Sequence, residues 1–140
     1  MILGEGSNTL FTKDFNGIIF QSNIKGIEII KEDNESITLK VGSGENWDDF
    51  VDFCVNSEYY GIENLSLIPG SVGAAPIQNI GAYGVEINDY VVRVSGVDLS
   101  TNTLVKFSNK DCEFSYRDSV FKKKLRNKFF ITSVEFKLYK

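Results

Sequence analysis

The sequence predicts an α+β fold, a mostly antiparallel sheet with few helices. Three observations carry this expectation. Apolar residues alternate with polar ones in short runs at 24–30, 36–41, 90–99 and 129–139, the period of half-buried strands. Only one segment, about Trp47 to Ser57, spaces its apolar residues for a helix. The middle of the chain, Ile68 to Gly84, holds both prolines together with Gly70, Gly73, Gly81 and Gly84, so it can be neither a continuous helix nor a continuous strand.

Taken in order, Met1-Ile2-Leu3 reads as a strand end that runs directly into Gly4-Glu5-Gly6-Ser7-Asn8. A G-x-G-S-N turn exposes successive amides, and such nests bind phosphate or diphosphate oxygens. It is not the fingerprint of a parallel dinucleotide fold, because the third glycine and a following helical period are missing through Thr9–Asn16. Gly17 to Phe20 reads as a short buried strand. Ile27 and Ile29, then Ile37, Leu39 and Val41, mark a half-buried hairpin that turns at Asp33-Asn34. Gly42-Ser43-Gly44 breaks the second strand.

The helix follows, with Asn46 as cap, Asp48 and Asp49 in the first turn, and Trp47, Phe50, Val51, Cys54 and Val55 on one face. The two aspartates are adjacent and so point about 100° apart around the axis, which argues against a catalytic pair. Past the central stretch, Val92, Val94 and Val97 mark a strand, Ser100–Asn102 a turn, and Leu104–Phe107 the returning strand. Ser108 is placed to cap a single turn through Asp111 and Cys112. The last strand, Phe129 to Tyr139, shows Phe130, Thr132, Val134, Phe136 and Leu138 on one face. The length fits one globular domain or two small halves that share a site, the second option dividing the chain into 1–64 and 65–140.

Composition excludes several classes. The chain has 140 residues, 42% hydrophobic, with a formal net charge of −4, so a broad nucleic-acid face is not expected. Two cysteines, no C-x-x-C pair and no histidine leave almost no metal ligands and no histidyl attachment point. Cys54 and Cys112 sit among apolar neighbours and read as passive buried thiols. Nothing resembles a signal peptide or a bilayer span, and a cytoplasmic, reduced protein fits. The basic run Lys122, Lys123, Lys124, Arg126, Lys128 reads as a solvated turn unless it faces an anionic ligand.

Two places can carry chemistry. The small side chains from Gly70 to Ala75 let another surface approach the main chain, so these amides and those of Gln78 to Gly84 are candidates for oxygen-rich ligands. A tight-packing loop between layers is the competing reading. Tyr116-Arg117-Asp118-Ser119 sets a phenol, a guanidinium, a carboxylate and a hydroxyl side by side. Arginine can grip a carboxylate or phosphate through two parallel hydrogen bonds. Asp118 is placed to hold it and Tyr116 to orient a substrate oxygen. A surface salt bridge explains the same residues without function.

Three segments together resemble one family. GEGSNTLF (Gly4–Phe11), LSLIPGSVGAAPIQNIGAYGVE (Leu65–Glu86) and SYRDSVFK (Ser115–Lys122) are similar, in order and interval, to the UDP-N-acetylenolpyruvoylglucosamine reductases of bacterial cell-wall synthesis. The first segment alone is shared with many FAD-linked oxidases; the other two are more specific. The resemblance covers essentially all 140 residues but only the middle of a family chain.

It implies a vanillyl-alcohol-oxidase-type (PCMH-type) FAD-binding domain. Gly4, Glu5, Gly6, Ser7 and Asn8 would surround the FAD diphosphate. Ser71, Gly73, Ala74, Ala75, Gln78, Asn79, Gly81, Ala82 and Tyr83 would line the other side of the cofactor. Arg117 matches the catalytic arginine that polarises the enolpyruvyl carboxylate, and Tyr116 its neighbour at the UDP-sugar substrate. In the family NADPH reduces FAD, and the reduced flavin passes hydride to the substrate. The serine and glutamate that complete the reaction belong to a C-terminal substrate domain not found in this sequence. The resemblance therefore implies a chain truncated at both ends, without its first strand–helix–strand unit, inactive alone and prone to self-associate through uncovered apolar edges. A non-catalytic FAD- or nucleotide-binding module and an FAD-linked oxidase relative remain as alternatives.

Overall fold

The computed structural model describes all 140 residues. Its frame is a five-stranded, wholly antiparallel sheet in the order Ile27–Glu32, Ser36–Gly42, Phe129–Tyr139, Val91–Asp98, Thr103–Ser108. The strands are β3 (Ile27–Glu32), β4 (Ser36–Gly42), β7 (Val91–Asp98), β8 (Thr103–Ser108) and β9 (Phe129–Tyr139). Two small ladders flank it: β1 (Ile2–Leu3) parallel to β2 (Phe20–Gln21), and β5 (Gly81–Ala82) antiparallel to β6 (Val85–Glu86). The central strand β9 pairs with β4 on one side and β7 on the other, so strands from both sides of residue 64 share one sheet. No helix is long and apolar enough to cross a membrane.

The predicted hairpin is β3–β4. Its turn closes because the Asp33 carboxylate accepts from the amides of Glu35 and Ser36, at 3.0 and 2.7 Å. The single α-helix, α1 (Trp47–Asn56), begins where predicted: the Asn46 side chain accepts from the Asp49 amide at 3.1 Å. Trp47, Phe50, Val51 and Cys54 are buried, whereas Val55, expected on the same face, is exposed. Asp48 works as a tie, accepting from Ser66 Oγ at 2.9 Å and the Leu67 amide at 2.6 Å. Through it α1 holds the chain that enters the central stretch.

The helix packs on the sheet through aromatic rings. Phe136 of β9 lies 5.1 Å from Phe50 and 6.0 Å from Trp47, centroid to centroid. The Trp47 indole donates to the Leu65 carbonyl at 2.8 Å, so burial leaves its polar edge satisfied. Toward the other sheet edge Phe107, Phe121 and Phe129 form a second ring cluster.

The single face expected for β9 is corrected by a bulge. Ser95 pairs with Ser133 but Gly96 pairs with Ile131, which leaves Thr132 as an extra residue. Side-chain parity reverses there. Phe129 and Ile131 therefore join Val134, Phe136 and Leu138 in the core, instead of Phe130 and Thr132. A Cβ at Gly96 would stand 2.3 Å from the Phe130 carbonyl oxygen, so the close approach of β7 and β9 needs the missing side chain. The Thr132 carbonyl is turned to the Ser43 amide at 3.0 Å, which fastens the Gly42–Gly44 turn to the sheet.

A second correction concerns residues 17–20. They are not a buried strand: only Phe20 enters β2, and Ile18, Ile19 and Phe20 are all exposed, Ile18 at 70%. Leu10, Phe11 and Phe15 are exposed nearby in sequence.

Both cysteines are buried, and burial pushes each thiol from 9.0 up to about 12. The folded protein keeps protons that the unfolded chain sheds above 9.0. This contribution to stability is complete below pH 9.0 and lost as pH rises toward about 12. A thiol reagent at neutral pH will leave both cysteines unmodified in the native protein and label both after denaturation. Rapid native labelling of either one would contradict the burial.

Candidate cofactor site

The two low-bulk turns of the sequence meet in space. Gly4–Asn8 leaves β1 and passes over the 69–74 segment. A Cβ on Gly4 would lie 3.2 Å from Ala74 Cβ and 3.4 Å from Ser71 Oγ. Ser7 Oγ donates to the Pro69 carbonyl at 3.2 Å, and Asn46 Nδ2 donates to Glu5 Oε1 at 2.9 Å. The first turn is thus tied both to the central stretch and to the cap of α1.

Two cavities, of about 340 and 270 Å³, share this contact: Leu3, Gly4, Glu5, Ser71, Ala74 and Ile77 line both. Each falls near the lower end of the roughly 300–1,000 Å³ usual for small-molecule sites, and their shared walls make them two parts of one recess. Gly73 adds to the larger; Gly6, Ser7, Asn8, Ala75 and Gln78 add to the smaller.

The amides sort the two turns. Those of Gly4, Glu5, Gly6, Ser7 and Asn8 donate to no acceptor in the protein, and neither do those of Gly70 and Ser71. The expectation for the rest of the second turn is corrected. Val72 donates to Glu45, Gly73 to Ser43, and Ala74 and Ala75 to Ser71, all at 2.9–3.2 Å. Gly73 is small because a Cβ there would meet Ser43 Cβ at 2.6 Å. The tight-packing reading therefore holds for 72–75, while Gly70 and Ser71 keep open donors at the recess.

The remaining candidates lie to one side. Asn79 is fully buried, and its side chain is spent on Glu86, the Ser115 carbonyl and the Asn88 amide, at 2.8–3.1 Å. It fastens the 115–119 loop to the 79–88 loop and faces neither cavity. The Gly81 carbonyl accepts from Arg117 Nη2 at 2.5 Å. Ala82 belongs to the β5–β6 ladder, and Tyr83 at its turn is 90% exposed.

Tyr116 is 82% exposed, with Arg117 Cζ 6.0 Å from its ring centroid. Neither residue lines either cavity. Asp118 does not hold Arg117: it pairs with Lys123, whose ammonium keeps the carboxyl below the usual carboxylate range. Arg117 instead adopts φ +53°, the left-handed region, with its carbonyl held by Lys122 Nζ at 2.8 Å.

Several lining residues were not singled out from the sequence. Gln21, Ser22, Lys25, Ser43 and Phe130 border the larger cavity and Lys122 the smaller. Ser43 was legible only as part of a strand-breaking G-S-G. Its turn is in fact sandwiched, with the Gly44 amide on the Ile24 carbonyl at 2.9 Å and the Ser43 carbonyl on Gly73.

Comparison with known proteins agrees with this geometry. A family described as FAD binding domain matches residues 1–108, the portion that carries both turns. The chain belongs to this FAD-binding family. Over 138 residues it is 50% identical to a UDP-N-acetylenolpyruvoylglucosamine reductase of Bacteroides fragilis (strain YCH46). Over 140 residues it is 51% identical to a protein of the same description from Amoebophilus asiaticus (strain 5a2). These alignments cover 99% and 100% of the chain, which spans 41% of the length of either relative. In fold it matches the crystal structure of UDP-N-acetylenolpyruvylglucosamine reductase from Thermus caldophilus, with a TM-score of 0.74 and 24% identity over 99% of this chain and 48% of that one.

The α+β fold with its mostly antiparallel sheet is thus the FAD-domain fold expected from the sequence, and FAD is the family's cofactor. The residues present fit it. Gly4 packs against Ala74 and Ser71 in the wall common to both cavities, and the seven residues with unspent amides all line the smaller one, suited to an anionic diphosphate.

Proposed function

We propose that this chain is the flavin-holding part of a UDP-N-acetylenolpyruvoylglucosamine reductase, acting in cytoplasmic peptidoglycan synthesis and so in cell-wall formation, shape and division. Half-identity to proteins of that description over the whole chain supports this reading. The observation that carries it is the meeting of the Gly4–Asn8 and Gly70–Ser71 turns, with their amides unspent.

Gly4, Glu5, Gly6, Ser7, Asn8 and Ser71 hold the diphosphate side of FAD, with Gly73, Ala74, Ala75 and Gln78 shaping the recess around it. Asn79, Gly81, Ala82 and Tyr83 form the loop that supports Arg117. Bound FAD supplies hydride transfer, with NADPH as the reductant. Arg117 holds the carboxylate of the enolpyruvyl UDP-sugar through its planar guanidinium fork, and Tyr116 covers it. Residues 1–64 and 65–140 serve as two halves around the cofactor, and substrate-binding groups outside this sequence complete the reaction. The exposed apolar residues Leu10, Ile18 and Phe20 favour self-association of the isolated chain.

A second reading, FAD binding without catalysis, is favoured by one observation: Tyr116 and Arg117 line neither cavity. Purified chain mixed with FAD will retain flavin absorbance through gel filtration, yet with NADPH and the enolpyruvyl substrate it will not turn over. Failure to retain flavin overturns the holding role; turnover by this chain alone overturns the incomplete-site reading.

A further inference from the structure

Lys122 is where the recess and the arginine loop meet. It is the one cationic side chain lining the smaller cavity, whose only other charged group is Glu5. Its ammonium also donates to the Arg117 carbonyl at 2.8 Å. The neighbouring cations are engaged elsewhere, Lys123 with Asp118 and Lys124 with Glu113 at 2.7 Å. Of these three neighbouring lysines only Lys122 is left at the cavity, which Gly4–Asn8 and Gly70–Ser71 also line.

We propose that Lys122 binds the cofactor's diphosphate and at the same time positions Arg117. An ammonium carries three N–H donors, and the Arg117 carbonyl takes one. The others are free for anionic oxygen at the cavity. Arg117 keeps a left-handed backbone, φ +53°, that a non-glycine residue adopts only when its surroundings impose it. One part of that constraint is Lys122. An anion in the cavity draws the ammonium into a fixed place and, through the carbonyl it already holds, fixes the loop that carries the guanidinium. Lys122 is a binding residue toward the diphosphate and a positioning residue toward Arg117.

This inference rests on the FAD-holding reading, and the two fail differently. If the unaltered chain does not bind FAD, that reading fails. If it binds FAD and Lys122→Met binds it as well, only the present inference fails. The experiment titrates FAD into the chain by flavin fluorescence at two salt concentrations, for the unaltered chain, Lys122→Met and Lys122→Arg. Lys122→Met is expected to weaken binding about tenfold and to flatten the salt dependence, because one screened charge interaction is gone. Lys122→Arg is expected to stay within about threefold of the unaltered chain, since it retains charge and donors.

A second readout isolates the positioning role. Tryptic cleavage after Arg117, followed by mass spectrometry, is expected to slow severalfold when FAD is added to the unaltered chain, and not when it is added to Lys122→Met at saturating FAD. Equal FAD affinity in Lys122→Met, or equal protection after Arg117, overturns the proposal.

Discussion

Gly4→Val will weaken FAD binding by at least about a hundredfold, roughly 2.7 kcal/mol, while the fold survives. Even a single Cβ at this position stands 3.2 Å from Ala74 Cβ, tighter than ordinary contact, and 3.4 Å from Ser71 Oγ, at its limit. Valine adds two carbons beyond it. The opposing loop cannot yield easily, because the amides of Val72, Gly73, Ala74 and Ala75 are bonded to Glu45, Ser43 and Ser71. The Gly4–Asn8 turn must therefore lift away, and the amides that converge on one diphosphate separate. Gly4–Asn8 itself lies outside the buried core, so the denaturant midpoint should hardly move. A Gly4→Val chain with unaltered FAD affinity would show that the two turns need not touch to hold the cofactor.

Phe136→Ala has the largest expected effect on stability. The ring is fully buried at the centre of β9 and packs on both Phe50 and Trp47 of α1. Truncating such a ring costs about 3–5 kcal/mol, the lost transfer energy plus the cavity left behind. That is a large share of the roughly 5–15 kcal/mol that holds a domain together. Urea denaturation should show a midpoint shifted down by this amount with an unchanged slope. A loss below about 1 kcal/mol would mean that α1 is not anchored to the sheet through this ring.

The sheet and the helix were legible because their apolar residues recur with a regular period. Ile37, Leu39 and Val41 alternate cleanly on β4, and Trp47, Phe50, Val51 and Cys54 fall on one stripe of α1. Where a segment is apolar on both faces the pattern loses its meaning. Phe129-Phe130-Ile131 offers no parity, so the bulge at Thr132 leaves no trace in the sequence, and Phe130 and Thr132 read as sharing the face of Val134, Phe136 and Leu138. Ile18, Ile19 and Phe20 have the composition of a buried strand, but nothing in this chain covers them.

The site was legible in outline for a different reason. Small residues signal close approach, but not what approaches. At Gly4 the neighbour is the other turn, beside unspent amides; at Gly73 it is Ser43, and the amides there are consumed. The sequence presents both as the same kind of glycine. Asn79 shows the same ambiguity, since a buried amide that ties two loops and one that binds a ligand are written identically. Lys122 was hidden inside a run of like charges, and only the fold separates it from Lys123 and Lys124.

The most direct test of the account is an amide-resolved one. Nitrogen–proton correlation spectra of the isotopically labelled chain, recorded as FAD is added, report each main-chain N–H separately. The amides of Gly4, Glu5, Gly6, Ser7, Asn8, Gly70 and Ser71 are expected to shift together and saturate with one affinity, while those of Val72–Ala75 move little. Saturating FAD binding that leaves the Gly4–Asn8 amides unmoved would contradict it.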